Sequence, residues 1–531
     1  MVERIIAVDV GTGSARAAVF ALNGAQLARK VAPVSLSQPE VRHYEQDSEE
    51  IWQAVIQCVR EAMAASGTDP ADVVALGFDA TCSLVFRDID GAPLSVSVDA
   101  ETRFDTMLWM DHRAVGEAGE LSASDDPVVQ RFGGRLSPEM QLPKLLWFKR
   151  NMPERWARAH LVLDLCDFLT WRATDLNIRS HSSLASKWGY EPAAPGARPD
   201  AFLDSSGLAD VAERCGLPGH SHSMATPVGR LSKRASQELG LTERCVVSAG
   251  LIDAYAGASG VFLGVREEEM EGKAGLVAGT SSCVITLSRQ GGNHSGCWGA
   301  FRDAALPGLW LLEAGQSASG ALLDHILRLH PAGGAPTSDR HLGVLTHIAT
   351  QMASKGHDYG LPIAILPDFH GSRSPFSDPG LRGVMAGLSL DTSFDGLARL
   401  YWRACVSLAC GIRHVIEHMP TGNQIKTLLM TGGFANHPVI PQLYADITGR
   451  EIAVHDARDA VLLGTALNAA LAAGVLTRRQ DFDQCPADAT PRVIKPDPEG
   501  RSAAVRDYRL YLAMLRHRDE LTGIFAETNP I

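Results

Sequence analysis

A chain of 531 residues is too long for one hydrophobic core, so two large domains are expected. Hydrophobic residues make up 45% and charged residues 21%, which is typical of soluble globular proteins. A net charge of -12 argues against a nucleic-acid partner, and no run of 18 apolar residues predicts a membrane span.

The ten cysteines form no C-x-x-C pair and stand mostly in apolar surroundings. This usage is typical of reduced thiols in a cytoplasmic protein, and no Cys/His spacing predicts zinc. The first predicted strand begins so early that no signal peptide is expected. The expected location is therefore the cytoplasm.

The first motif is a hairpin at 5–20, where two apolar runs flank the turn Gly11-Thr12-Gly13-Ser14. Glycines let a turn approach a bulky ligand, and successive turn amides can point at an anion. Asp9 closes the first run, so the hairpin suits a phosphate group with a divalent cation. The alternative is a tight hairpin in which Asp9 only caps the turn.

Two further stretches place polar residues after an apolar approach. A predicted buried strand at 73–78 leads into Asp79, Ala80 and Thr81, and Trp109-Met110 leads into Asp111, His112 and Arg113. Polar groups at strand ends commonly line a crevice in α/β proteins. Each stretch could instead be a surface turn with a satisfied ion pair.

Helices are predicted at 141–148, 164–174, 397–418, 462–474 and 508–525, and another opens near Asp47. The helix at 462–474 is rich in small residues and can pack closely. Lys187 falls in a Ser-rich stretch predicted as a loop, where a lysine is most often solvated. The segment 369–375 is a Gly/Ser/Pro loop with one arginine, suited to a mobile binding segment.

A second hairpin at 274–287 repeats the plan of the first, with the turn Gly279-Thr280-Ser281-Ser282 between apolar runs. A duplicated phosphate-binding hairpin suggests a nucleotide held between two halves. The plan resembles the superfamily of sugar kinases, actin and heat-shock-protein ATPases. Asp253 follows a predicted strand just ahead of this hairpin. Glu313 and Gln316 are polar residues placed after another predicted strand.

The motif order resembles one family, the FGGY carbohydrate kinases, over nearly the whole chain. The matching stretches are Asp9–Ser14, Asp111–Arg113, Gly250–Ala254, Ala278–Ser281 and Gly432–Asn436. Within the family, Asp79–Val85 and Lys187-Trp188 are most similar to pentulose kinases of the D-ribulokinase type. The chain differs from the residues common in the family at Ser407 and around Asp459–Leu462, where a glutamate is frequent.

The resemblance implies an α/β fold with two ribonuclease-H-like domains, of the actin/hexokinase ATPase type, flanking a deep cleft. The expected sugar-binding domain covers 1–247 and the expected ATP-binding domain covers 248–531. ATP, Mg²⁺ and a small sugar are the implied ligands, with no nucleic acid and no membrane. A homodimer is an assembly to test.

The resemblance also implies roles for individual residues. Asp253 would be the general base, and Asp9 would hold magnesium through water. The implied ATP residues are Thr12, Gly13, Ser14, Gly279, Thr280, Ser281, Gln316, Gly432, Gly433 and Asn436. The implied sugar residues are Asp79, Thr81, Asp111, His112, Arg113, Lys187 and Glu313.

The expected reaction is ATP-dependent phosphorylation of the terminal hydroxyl of a pentulose, with D-ribulose as the preferred substrate. Ribitol, L-ribulose and L-xylulose are alternatives; D-xylulose and glycerol are less favoured. A nucleotide-driven conformational switch shares both hairpins. It does not need the polar side chains of Asp79, Asp111, Arg113 and Lys187 together with Asp253. An inactive kinase-like protein is a third alternative, against which the intact Asp253 argues.

Overall fold

The computed structural model describes residues 2–99, 103–454, 459–482 and 491–528, without the side chains of Phe434, Asn436 and 526–528. The described chain forms two compact units, each discontinuous in sequence. The first unit comprises Met1–Glu267, Leu287–Leu312 and Arg458–Ala489; the second comprises Glu268–Thr286, Glu313–Ala457 and Thr490–Ile531. The boundary predicted at 247/248 stays a prediction.

The strands, in chain order, are β1 Arg4–Val10, β2 Ser14–Ala21, β3 Gln26–Pro33, β4 Glu45–Gln46, β5 Val73–Ala80, β6 Leu84–Asp88, β7 Thr106–Met107, β8 Ala159–Asp164, β9 Pro227–Arg230, β10 Val246–Ser248, β11 Leu251–Ile252, β12 Lys273–Ala278, β13 Ser282–Ser288, β14 Trp298–Arg302, β15 Trp310–Gln316, β16 Ala364–Leu366, β17 Val384–Ala386, β18 Thr427–Thr431, β19 Glu451–Val454 and β20 Arg492–Ile494.

The α-helices are α1 Ser48–Ser66, α2 Val115–Leu121, α3 Pro127–Arg131, α4 Gln141–Asn151, α5 Pro153–Arg158, α6 Leu165–Thr174, α7 His181–Lys187, α8 Asp200–Ser205, α9 Val211–Arg214, α10 Lys233–Leu239, α11 Asp253–Val261, α12 Gly320–Leu329, α13 Ser338–Lys355, α14 Phe394–His418, α15 Val439–Thr448, α16 Ala460–Ala472 and α17 Pro498–Thr528. No helix in the described ranges is both long and apolar enough to cross a bilayer.

The main sheet of the first unit has the order β3-β2-β1-β5-β10-β9, with β11 also paired to β5. β1 is antiparallel to β2 and parallel to β5, and β5 is parallel to β10. Apolar residues of β1, β5 and α1 form one continuous core. Asp47 caps α1 by accepting the main-chain N–H groups of Glu49 and Glu50, as the sequence predicts.

The second sheet repeats this plan. β12 is antiparallel to β13 and parallel to β18, and β18 is parallel to β19. Each hairpin therefore has parallel strands on its far side, as in the first unit. The duplication expected from the two Gly-Thr turns is confirmed at the level of strand topology.

Helix α16 belongs to the first unit although it lies near the end of the chain, and its small residues explain its close packing. A Cβ on Gly464 would lie 1.9 Å from the carbonyl oxygen of Ala256, and one on Gly260 would lie 1.9 Å from that of Ala460. A Cβ on Gly77 of β5 would lie 2.7 Å from the carbonyl oxygen of Thr465. Glycine at these contacts lets α16 pack directly on α11 and β5.

Candidate active site

Three carboxylates gather at one edge of the first sheet. Asp9 near the end of β1 is the register partner of Asp79 in β5, and Leu251 of β11 is also a partner of Asp79. Asp253 follows β11 directly and opens α11. Because parallel strands end at the same edge, residues distant in sequence meet there. Asp9 and Asp79 are fully buried.

Burial is the main reason why these carboxyl groups resist ionisation. It raises the pKa of Asp9 to about 7; the Arg16 guanidinium opposes the rise, and the carboxylates of Asp253 and Asp459 add to it. The pKa of Asp79 is also raised, first by burial and then by the charge of Asp9. A cation bound at this edge would favour the ionised carboxylates and offset the cost of burying them.

The carboxylates fit a divalent cation such as Mg²⁺. Within the described part of the chain, Oδ1 of Asp9 and Oδ1 of Asp79 are buried and accept no hydrogen bond. Buried anionic oxygens of this kind are the ligands that a hard cation prefers. Asp9, with Asp79 beside it, is therefore suited to hold the metal.

Sequence reasoning missed Arg16, which forms an ion pair with Oδ2 of Asp9. The four-residue turn sets the register in which Asp9 and Arg16 face each other across the hairpin. That register is the signal that could have identified the pair. Asp459 caps α16, and its Oδ2 lies 3.3 Å from Nη2 of Arg29 and 4.0 Å from Nη1 of Arg16. The position at which the chain differs from common family members therefore belongs to the same group of charges as Asp9 and Arg16.

The first Gly-Thr turn is held from outside the hairpin. The Trp109 indole donates to Oγ1 of Thr12 over 3.0 Å, and Gln46 Nε2 donates to the Thr12 carbonyl over 2.8 Å. The amide of Gly11 donates to the Ser14 carbonyl over 3.0 Å. A Cβ on Gly13 would have no atom within 4 Å, so a bulky group has room to approach this turn.

The second Gly-Thr turn is joined to the beginning of α12. The amide of Gly279 donates to the Ser281 carbonyl over 2.9 Å, and the Gly279 carbonyl accepts the amide of Gly320 over 3.0 Å. The Thr280 carbonyl accepts the amide of Ser319 over 2.9 Å. Gly279 and Thr280 are exposed. The two turns differ in length, because the main-chain hydrogen bond spans three residues in the first, from Gly11 to Ser14, and two in the second, from Gly279 to Ser281.

The predicted adenosine residues lie after β18. Gly432 has a φ of 111° and packs so closely on β12 that a Cβ would lie 1.9 Å from the Ala278 carbonyl oxygen. A Cβ on Gly433 would meet no atom within 4 Å, which leaves its face open. The side chain of Asn436 lies outside the described residues.

Asp111 and Arg113 form a closed ion-pair network, the alternative that the sequence left open. Arg113 donates from Nε to Oδ1 of Asp111 over 2.9 Å and from Nη2 to Oε1 of Glu45 over 2.8 Å. The Tyr44 amide donates to Oδ2 of Asp111 over 2.7 Å. These two side chains hold a buried turn together, and His112 beside them lies 3.7 Å from Oε1 of Glu139.

The loop predicted at Lys187 is wrong, and the alternative of a solvated lysine does not hold. Lys187 ends α7, is 4% exposed, and places Nζ 4.4 Å from the centroid of the Trp298 ring. The Ser-rich sequence is helical because Ser180 caps α7, and the hydroxyl of Ser186 donates to the Ser182 carbonyl. The serines are thereby satisfied inside the helix.

Cys82 connects Lys187 with the carboxylate edge. Burial raises the pKa of its thiol to about 11, the Lys187 ammonium opposes that rise, and Asp253 adds to it. The Cys82 thiol is therefore influenced by both the Lys187 ammonium and the Asp253 carboxylate. Thr81 lies next to it, with Oγ1 3.0 Å from Oγ of Ser83 and its amide bonded to the Val10 carbonyl.

In the second unit, Glu313 and Gln316 lie on β15. Glu313 is 3% exposed, and its Oε1 lies 3.1 Å from Nη1 of Arg373. Gln316 is also buried and faces α14, where a Cβ on Gly411 would lie 1.9 Å from Nε2 of Gln316. Arg373 was not among the predicted site residues.

The fold and these strand-end acids define the class of ATPase-type α/β proteins. The chain matches the model of the FGGY carbohydrate kinase N-terminal domain over residues 4–260 and that of the C-terminal domain over residues 274–473. It therefore belongs to the FGGY family of carbohydrate kinases and is a phosphotransferase acting on a sugar. The predicted family and fold class are confirmed.

Two curated relatives illustrate the range of similarity. An FGGY carbohydrate kinase domain-containing protein of Danio rerio is 37% identical, over 98% of this chain and 99% of the relative. A D-ribulokinase of Saccharomyces cerevisiae is 36% identical, over 90% of this chain and 72% of the relative.

Solved structures support the fold. The chain is similar to a Brucella ovis structure described as a xyloylose kinase, with a TM-score of 0.78 and 21% identity over 98% of this chain and 100% of that one. It is also similar to a ligand-bound xylulose kinase of Lactobacillus acidophilus, with a TM-score of 0.77 and 19% identity over 99% and 100%.

Proposed function

We propose that this chain transfers the γ-phosphoryl group of ATP to the terminal 5-hydroxyl of a pentulose, and that the pentulose is D-ribulose. The observation that carries the choice of sugar is the 36% identity to the yeast D-ribulokinase over 90% of this chain. The site supports phosphoryl transfer because it gathers buried carboxylates beside a Gly-Thr turn. Catalysis of this kind depends mostly on positioning and charge neutralisation.

Asp253 is proposed as the general base. It lies at the first turn of α11, directly after β11, whose Leu251 is the register partner of Asp79. It would accept the proton of the sugar hydroxyl as that oxygen attacks the γ-phosphorus. The bond between the γ-phosphorus and the bridging oxygen breaks, and ADP leaves.

Phosphate binding is proposed for the two Gly-Thr turns, through Thr12, Gly13 and Ser14 in the first unit and Gly279, Thr280 and Ser281 in the second. Adenosine binding is proposed for Gly432, Gly433 and Asn436, with Gln316 on the same unit. Magnesium, when bound, would neutralise phosphate charge. Asp9 is proposed as its protein ligand, and Asp79 beside it is proposed as a second anionic neighbour that is also a sugar residue.

Sugar binding is proposed for Thr81, His112, Lys187 and Glu313. These side chains can donate to or accept from hydroxyl and carbonyl groups of a small ketose. Asp111 and Arg113 would act indirectly, because their polar groups already hold the turn that carries His112. The predicted cytoplasmic location and homodimer stay predictions.

The deciding experiment measures ADP release with D-ribulose, L-ribulose, L-xylulose, ribitol, D-xylulose and glycerol, and without sugar. The expected result is ATP turnover that requires a sugar and a kcat/KM highest for D-ribulose. A tenfold preference for another acceptor, about 1.4 kcal/mol in transition-state binding, would refute D-ribulose and leave the kinase activity intact. ATP turnover independent of every acceptor would instead favour the conformational switch.

A further inference from the structure

The loop at 369–379 carries a buried arginine onto β15. Arg373 is 8% exposed, and the amide of the next residue, Ser374, donates to the Gly315 carbonyl over 3.1 Å. The loop also closes on itself, because Ser372 and Asp378 exchange main-chain hydrogen bonds of 2.9 and 2.8 Å. The main chain on both sides of Arg373 is therefore held by hydrogen bonds.

Arg373 is directed at Glu313, and a thiol completes the contact. Nη1 of Arg373 lies 3.1 Å from Oε1 of Glu313 and 3.3 Å from Sγ of Cys283. Sγ of Cys283 lies 3.3 Å from the same carboxylate oxygen. All three side chains are buried. One oxygen of Glu313 is thus fixed from two directions, which restricts the orientation of the whole carboxylate.

The C-terminal helix holds the loop from its other side. Arg518 of α17 forms an ion pair with Asp368, and its guanidinium lies 5.3 Å from the centroid of the Phe376 ring. Arg518 is 4% exposed. The loop segment bearing Arg373 is consequently anchored both to β15 and to α17.

We infer that Arg373 is a positioning residue for the sugar: it orients the Glu313 carboxylate toward a substrate hydroxyl. This inference rests on the proposed function, in which Glu313 binds the sugar. A carboxylate on a rotatable side chain discriminates hydroxyl positions only when its rotamer is fixed by neighbouring groups. The buried guanidinium fixes that rotamer and keeps a negative charge tolerable inside the unit.

A purely structural ion pair is the competing explanation. Loss of such a pair would disturb the second unit as a whole, and binding of ATP would suffer together with binding of the sugar. Loss of a positioning group would weaken sugar binding selectively. The ratio of the two KM values therefore separates the explanations, and a structural role alone would not move it.

The test compares KM and kcat for D-ribulose and for ATP in Arg373→Ala, Arg373→Lys, Glu313→Gln and the double variant Arg373→Ala/Glu313→Gln. Arg382→Ala is the matched control, because Arg382 is an exposed arginine nearby that donates to the main-chain carbonyls of Pro379 and Leu381. Arg373→Lys retains charge but not the fork of donors, and it serves as the test variant if Arg373→Ala does not fold.

The expected result is a rise in the KM for D-ribulose of up to about 10²-fold in Arg373→Ala, with the KM for ATP unchanged. Arg373→Lys should lie between wild type and Arg373→Ala, and the double variant should be no worse than Glu313→Gln, because both changes remove one interaction. Equal losses for both substrates, or losses that multiply in the double variant, would overturn the inference.

Failure of the proposed function gives different results. If the wild-type protein phosphorylates no sugar of the acceptor panel, the proposed substrate class, a pentulose, is refuted. An unchanged KM for D-ribulose in Glu313→Gln would remove Glu313 from the sugar site, and the role of Arg373 with it. A raised KM in Glu313→Gln but not in either Arg373 variant would overturn the role of Arg373 alone.

Discussion

Asp9 and Arg16 face each other across the first hairpin, and their side chains form an ion pair at the edge where the buried acids meet. Arg16 opposes the effect of burial on the pKa of Asp9, which nevertheless rises to about 7. The guanidinium therefore keeps an otherwise unfavourable carboxylate available in its ionised form near neutral pH. A hairpin without Arg16 would lack this stabilisation of the ionised Asp9 carboxylate.

Arg16→Gln should shift the acidic limb of the kcat/KM profile to higher pH by about one unit or more, because loss of the opposite charge raises the pKa of Asp9 further. The measurement is kcat/KM for ATP from pH 5 to 9. Arg4→Gln, at the far end of β1, is the control and should leave the limb in place. An unmoved limb in Arg16→Gln would show that Asp9 does not set it.

Asp253→Asn should lower kcat by about 10²–10⁴-fold, because the proposed base can no longer accept the hydroxyl proton. ATP binding, measured by calorimetry, should remain close to that of wild type. Asp200→Asn is a suitable control, since Asp200 opens α8 as Asp253 opens α11 but is exposed. Near-normal turnover of Asp253→Asn would exclude this residue as the base.

Thr465→Val should reduce the free energy of unfolding by about 1–3 kcal/mol, because a buried oxygen of Asp79 loses its hydroxyl partner. Thr465→Ser keeps the hydroxyl and should lose less. Denaturant titrations of both variants give the comparison. Equal destabilisation by Val and Ser would attribute the effect to packing instead of the hydrogen bond.

Asp167→Asn should change how stability depends on pH. Burial raises the pKa of Asp167 to about 7, with Arg179 opposing the rise. The folded protein holds this proton more tightly than the unfolded chain, so the stabilisation is present at low pH and is lost as pH rises toward 7.

Between pH 4 and 7, the free energy of unfolding of wild type should therefore fall relative to Asp167→Asn by up to about 1.4 kcal/mol per pH unit. Urea titrations at several pH values measure the difference. Asp204→Asn, which removes an exposed acid, should run parallel to wild type. Parallel curves for Asp167→Asn would mean that Asp167 ionises normally in the fold.

Local sequence patterns determined the elements and the two hairpins. The apolar runs around Gly11–Ser14 and Gly279–Ser282, the small-residue helix α16 and the long helix α14 are found where the sequence predicts them, within a few residues. Periodicity, capping and turn residues act over a few positions, so they can be interpreted without knowing the fold. The family motifs themselves are short and lie at strand ends.

Tertiary structure alone decided which distant side chains meet. Thr465 contacts Asp79 across 386 positions, Arg373 reaches Glu313 across 60, and Lys187 is buried against Trp298. None of these partners is implied by local pattern, because sheet order and helix packing bring them together. Buried charge is tolerated only where such a partner is present, so the electrostatics of the site depend on contacts that only the folded chain creates.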